Sequence, residues 1–170
     1  MRIAFAALAA PALLVSACTT PPPGAAGAPT PVDRAGYVTT AAASDLYEIQ
    51  SSQIALSKAQ RPEVREFAQM LVTHHTQTTE ALTAAARASG LTPPPPTLLP
   101  MHQEMIAELQ RAPAAGFDSV YLRQQVPAHE TALALHQNYA ARGDAPALRA
   151  AAAAAVPIIR HHLDRARELD

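Results

Sequence analysis

His75, His129 and His162 stand where the apolar periodicity of three different helical segments calls for leucine. An imidazole buried in such a stripe has two nitrogens to satisfy, by another side chain, by water or by a metal ion. Two or more imidazoles with a carboxylate form a donor set suited to a divalent transition metal such as zinc, iron or copper. Glu48 lies near the midpoint of the first helical segment, at the matching level, so His75, His129, His162 and Glu48 make a candidate metal site. The same residues support a second reading, a polar layer of neutral histidines hydrogen-bonded to carbonyls, Glu48, Tyr47, Tyr121 or Tyr139. A catalytic or pH-switching role is the third. His136 extends the layer two turns beyond His129, and His102 is expected in solvent. His74 and His161 precede two stripe residues but point about 100° away, as exposed or outer groups. Other chemistries lack their groups: there is no phosphate-binding glycine loop, no His-Glu-x-x-His, no serine elbow and no free nucleophilic cysteine.

The elements that must position these groups are helices. The first is expected from Arg34 to Gln60, with Asp33 as its N-cap and a stripe of Val38, Ala42, Leu46, Ile49, Gln53 and Leu56. Glu48 belongs to a flanking face of Ala41, Asp45, Ser52 and Ala55, and reaches the core only if that face also packs inward. Pro62 suits the first position of helix two, whose stripe is Val64, Ala68, Leu71, His75, Thr78, Leu82 and Ala85, with Gly90 as its stop. A short helix over Met101 to Arg111 follows the run Pro93 to Pro96. Helix three carries Leu122, Val126, His129, Leu133, His136 and Ala140. Helix four carries Leu148, Ala152, Ala155, Ile159, His162, Ala166 and Leu169, with Asp144 available as N-cap. His162 lies about five residues beyond its helix midpoint, roughly 7 Å along the axis. Pro127 and Pro157 interrupt the last two helices and free the carbonyls of Arg123 and Ala153. With no strand-like alternation, the pattern implies an all-α four-helix bundle built as two hairpins. Whether helix three runs parallel or antiparallel to helix two is open.

The chain has 170 residues, 49% hydrophobic but only 4% aromatic and without tryptophan, so the core must be mainly Ala, Leu, Ile and Val. A net charge of −1 with no basic cluster argues against nucleic acid as a partner. Residues 1–18 read as a leader: Met1-Arg2, an apolar run from Ile3 to Val15, then Val15-Ser16-Ala17-Cys18. That ending resembles the lipobox of bacterial lipoproteins, with Cys18, the sole cysteine, as lipid anchor and membrane attachment. A plain signal peptide cut after Ala17 is the alternative. Residues 19–32 are a Pro/Ala/Gly-rich tether of fourteen residues, which at ~3.1 Å each extends up to ~40 Å. The bundle occupies residues 33–170.

Three segments carry a family resemblance: Phe67 to Thr76 (FAQMLVTHHT), Tyr121 to Glu130 (YLRQQVPAHE) and Val156 to Leu163 (VPIIRHHL). Together they resemble an uncharacterised family of exported bacterial proteins. Its members carry a domain of unknown function assigned to the ferritin-like superfamily, and many are labelled predicted outer-membrane proteins or lipoproteins. The resemblance covers roughly residues 33 to 170 and implies a ferritin-like bundle in the cell envelope without an established activity. The ferritin-type di-metal set does not carry over. Val72 and Ile159 stand three residues before His75 and His162 where Glu-x-x-His requires glutamate, and Glu130 and Asp118 are the only other carboxylates to weigh on helix three.

The expectation that follows is a non-catalytic envelope lipoprotein of structural or stress-related role, periplasm-facing and on the outer membrane. A soluble periplasmic or secreted form is the alternative location. A metal-binding bundle with a histidine-rich mononuclear site is the alternative function.

Overall fold

Asp33 opens the first helix as its sequence position leads one to expect: its carboxylate accepts from the Gly36 amide at 2.8 Å. The computed structural model describes residues 33–93 and 95–170, so the leader, Cys18 and the tether lie outside the described residues. Five helices follow: α1 (Arg34–Lys58), α2 (Pro62–Ala88), α3 (Pro100–Arg111), α4 (Phe117–Arg142) and α5 (Pro146–Leu169), with a 3₁₀ turn at Ala114–Gly116. Pro62, Pro100 and Pro146 each occupy the first turn of a helix, where a missing N–H costs nothing.

The stop after α2 is a glycine in the left-handed region. Gly90 has φ of 77°, its amide bonds to Arg87 O, and the Leu91 amide bonds to Ala86 O, both at 3.0 Å. This is the Schellman arrangement, which satisfies carbonyls that the helix leaves orphaned. Asp118 closes the other end of the first hairpin, accepting from the Gln60 and Arg61 amides at 3.0 and 2.9 Å in place of a capping side chain on Arg61 itself. The Lys58 ammonium donates to the carbonyls of Leu109, Gln110 and Ala112, where α3 ends.

The hairpins α1–α2 and α4–α5 pack side by side, with α2 against α5 and α1 against α4. Tyr37, early in α1, meets His136 and Tyr139, late in α4, while Ser52 meets Tyr121 near the start of α4. α1 and α4 are therefore antiparallel, and α4 runs parallel to α2. The orientation that the sequence leaves open is set by the link from α2 to α4, which returns along the bundle. Its Pro93, Pro95 and Pro96 lie over Val38, Ala42 and Leu82, and α3 then packs on α1 and α4.

On α1 the expected core stripe packs inward only at Val38, and beyond it a different face is buried. Ala41, Asp45, Glu48, Ser51, Ser52 and Ala55 are buried, whereas Leu46, Ile49 and Leu56 are half-buried and Gln53 is exposed. Small side chains on the inner face let α1 approach its neighbours closely, and α3 lies against α1 as well. Two further expectations are corrected. Asp144 does not cap α5; it accepts from Tyr139 Oη at 2.8 Å and from Arg34 at 3.1 Å, which joins the ends of three helices. His102 is not solvated: it is buried and stacks on Tyr47, ring centroids 4.8 Å apart, because α3 lays it against α1. Pro127 and Pro157 face outward, and the residues whose carbonyls they free, Arg123 and Ala153, are exposed to water.

The apolar interior is divided. One half gathers Phe67, Leu71, Leu109, Phe117, Tyr121, Leu122 and Leu169; the other gathers Tyr37, Val38, Leu82, Tyr139 and Leu148; a small third cluster joins Ala132, Ala155 and Ile159 of α4 and α5. All four tyrosines of the chain are fully buried, and Tyr37 and Tyr139 stack at 3.8 Å. Two glycines separate backbone strain from crowding. Gly90→Ala has open space but a strained φ, and is expected to cost about 1 kcal/mol. Gly143→Ala places a Cβ 2.4 Å from the Tyr139 ring, and is expected to cost about 3 kcal/mol by disturbing the tyrosine stack. Denaturant unfolding of the two variants reads the difference.

Candidate metal centre

Between the two apolar halves lies a polar layer. His75 comes from α2, His129 from α4 and His162 from α5, at 2%, 0% and 0% exposure. Their ring centroids stand 5.7, 5.1 and 5.4 Å apart, close to an equilateral triangle. One ligand nitrogen from each lies within 4.8 Å of the others. Around a tetrahedral ion with bonds of about 2.0–2.1 Å, such nitrogens sit about 3.3 Å apart, so modest side-chain adjustment closes the set.

Each ring is held through one nitrogen, and each by a different kind of group. His75 Nδ1 meets Asp45 Oδ1 at 2.8 Å, His129 Nδ1 donates to the Gln125 carbonyl at 2.9 Å, and His162 Nε2 pairs with His74 Nδ1 at 2.8 Å. Asp45 is itself fixed by the hydroxyls of Thr78 and Thr79, which donate to its Oδ2 at 3.1 Å. That leaves His75 Nε2, His129 Nε2 and His162 Nδ1 buried without a hydrogen-bond partner in the protein. Outer groups that fix the tautomer and the aim of an imidazole are the usual surroundings of a ligating histidine.

Glu48 reaches the layer because the small-residue face of α1 packs inward. It is 1% exposed, its Oε1 lies 3.7 Å from His129 Nδ1, and neither carboxylate oxygen has a hydrogen-bond partner. It does not join the group of converging atoms, which contains the three histidines alone. It borders the nitrogen of His129 that already serves Gln125. Glu130 and Asp118 are elsewhere: Glu130 pairs with Arg167 on the surface and Asp118 caps α2. Among the expected phenol partners, Tyr47 bonds Gln124, Tyr121 bonds Ser52 and Tyr139 bonds Asp144, so none serves the triad. His136 is paired with Tyr37, whose hydroxyl lies 2.9 Å from its Nδ1.

Asp45 is the residue that sequence reading did not single out. Its signal was its place one turn before Glu48 on the same small-residue face.

Burial and charge divide the titrating groups. Burial drives His129 down to about 3, with the neighbouring His75 adding to it, and drives His136 down to about 4. His162 is lowered further still by burial and by the surrounding histidines. Burial also acts to lower His75, but the hydrogen bond and charge of Asp45, with Glu48, outweigh it and raise the net value. Glu48 is pushed up to about 8 by burial, partly offset by His75.

The chain matches, over residues 18–169, the family described as Domain of unknown function (DUF4142). The chain belongs to this family. No curated protein matches the sequence. Among solved structures, CopM in the Cu(II)-bound form is similar at a TM-score of 0.69 and 16% identity, covering 81% of this chain and 95% of that one. At that identity the likeness is one of fold.

The titrations carry a sign that an experiment can read. A carboxyl held at about 8 in the fold keeps its proton while the unfolded chain, near 4.5, gives it up. Folding stability is therefore lost as pH rises from about 4.5 to about 8. Glu48→Gln is expected to gain on the wild type across that range, by at most about 1.4 kcal/mol per pH unit. His129 and His136 act oppositely: their folded values lie below the unfolded 6.5, so stability falls on acidification below about pH 6.5. Chemical unfolding of metal-free protein at pH 5, 6.5 and 8 checks both signs.

Proposed function

We propose that this chain is a metal-binding helical-bundle protein that holds one divalent transition-metal ion among His75, His129 and His162. The observation that carries the reading is three buried imidazoles, each with one nitrogen within 4.8 Å of the others' and each with one nitrogen anchored and the other unpartnered. A hydrogen-bonded polar layer would pair those nitrogens with one another or with protein donors, and they are not so paired. With all three rings neutral the nitrogens are acceptors, and one water molecule has two hydrogens for three acceptors; a water completes the set only when His75 is protonated on both nitrogens, the form that Asp45 favours. A cation serves all three at once.

Three imidazoles without thiolate suit copper(II) or zinc, and the likeness of fold to CopM in its Cu(II)-bound form makes copper the first ion to test. When bound, the ion supplies positive charge and Lewis acidity in a water-poor interior. The protein's part is to hold. Asp45 and the Gln125 carbonyl aim two of the rings, His74 the third, and the apolar halves on either side exclude solvent. A holding role fits better than oxygen chemistry, because the bridging carboxylates of di-iron bundles are absent from this layer: Val72 and Ile159 stand at the Glu-x-x-His positions. The single return link between the hairpins is also the connection that ferritin-like bundles use, which supports placing this one with them.

We further propose that the domain works in the cell envelope, tethered through Cys18 to the outer membrane and facing the periplasm. The support is the run Val15-Ser16-Ala17-Cys18 with the Pro-rich segment after it. Cys18→Ser is expected to move the protein from the membrane fraction to the soluble one, and unchanged fractionation would count against the anchor.

The metal reading is tested on untagged protein by elemental analysis and Cu(II) titration. One equivalent per chain is expected, with folding stabilised by about 2.7 kcal/mol at a free ion concentration of 100 times Kd. His75→Ala is expected to abolish binding. Asp45→Ala keeps the ligands but loses their aim, and is expected to weaken binding about 10–100-fold. Sub-stoichiometric metal in the wild type would return the layer to a purely structural role.

A further inference from the structure

The triad is closed to solvent, with exposures of 2%, 0% and 0%, so an ion held there needs a way in and out. Of the three groups that anchor its rings, Asp45 is 5% exposed and Gln125 is fully buried, while His74 is half-buried and reaches the surface. His74 is thus the anchor that touches both a triad ring and solvent. Its Nδ1 stands 2.8 Å from His162 Nε2, and the two rings lie nearly parallel, centroids 5.1 Å apart.

Below His74 along α2 the donor groups continue. Glu66, Met70 and His74 recur every four residues and so share one row of the helix. Glu66 and Met70, with His161 and Arg165 of α5, line an open depression of about 220 Å³ whose inner wall is Phe67. The Phe67 ring is buried, 6.5 Å from the His129 ring, and shuts the direct approach to the triad from that side. His161 stands beside His162, ring centroids 6.4 Å apart. A carboxylate, a thioether and an exposed imidazole therefore sit at the seam of α2 and α5, next to the single half-exposed imidazole bonded to the triad.

Resting on the metal-binding reading above, we propose that His74 is the ligand through which the ion enters and leaves the triad, with the Glu66, Met70 and His161 depression as its mouth. The ion first binds His74 from the solvent side. The hydrogen bond between His74 and His162 then opens, its proton staying on His162 Nε2, which leaves His162 Nδ1 as the ligand nitrogen. The ion exchanges onto His162, which shares it with His75 and His129. Mixed hard and soft donors at the mouth collect an ion without trapping it, while the three anchored imidazoles inside retain it.

The test uses the full chain, stripped of metal, mixed with Cu(II) and followed by copper absorbance, then challenged with excess EDTA. His74→Gln and His74→Ala are expected to slow loading about tenfold or more and to slow extraction as well, while still reaching one equivalent. His161→Ala is expected to slow loading to a smaller degree. If His74 merely orients His162, its loss leaves loading at the wild-type rate and speeds extraction, and that result overturns the path. A wild-type chain that takes up no Cu(II) overturns the metal reading itself, and is seen before any variant is compared.

Discussion

An imidazole has two nitrogens, and in the middle of this bundle only one of each pair is spoken for. Three clustered rings on three helices are each pinned by one nitrogen, to a carboxylate, a backbone carbonyl and another histidine, and each leaves its second nitrogen unpartnered. A buried polar atom left without a partner costs roughly 1–3 kcal/mol, so three cost roughly 3–9. The net stability of a domain is roughly 5–15 kcal/mol. Such a layer weighs on the whole fold, and the cation proposed above would relieve that cost by taking up the unpartnered nitrogens. The rest of the architecture follows from the need to keep that layer dry and aligned, with apolar packing on both sides and small residues on α1 that let the helices close around it.

Much of this can be read from the chain before any coordinates. The four-three spacing around His75, His129 and His162 places all three inward, and they are inward. Asp33, Pro62 and Gly90 mark helix ends where the helices do end. The reading stops where two faces of one helix compete. On α1 the larger hydrophobes Leu46, Ile49 and Leu56 form the stronger pattern, yet packing selects the smaller face. Alanine and serine permit a close approach that hydrophobicity alone does not register. Asp45 was hidden for that reason, and with it the anchor of His75. The burial of His102 depends on where a short helix docks, a tertiary fact with no local signature.

Family membership and fold likeness meet the site without naming its task. DUF4142 is a domain of unknown function, and CopM shares the fold at 16% identity. What the chain adds is its own chemistry: a nitrogen-only triad, a lone buried glutamate held back from it, and a half-open histidine at the seam of two helices. Glu48 borders His129 without joining the converging group, so the three side chains that come together are imidazoles alone.

The four tyrosines give the molecule an optical property of its own. The chain has no tryptophan, so its near-ultraviolet absorbance beyond the weak phenylalanine bands belongs to Tyr37, Tyr47, Tyr121 and Tyr139. All four are buried, and burial raises the ionisation of every one of them. No phenol stands outside the fold to colour the solution early in an alkaline titration. Phenolate absorbance therefore emerges only as the helices part, and the protein carries its own dye for the opening of its core.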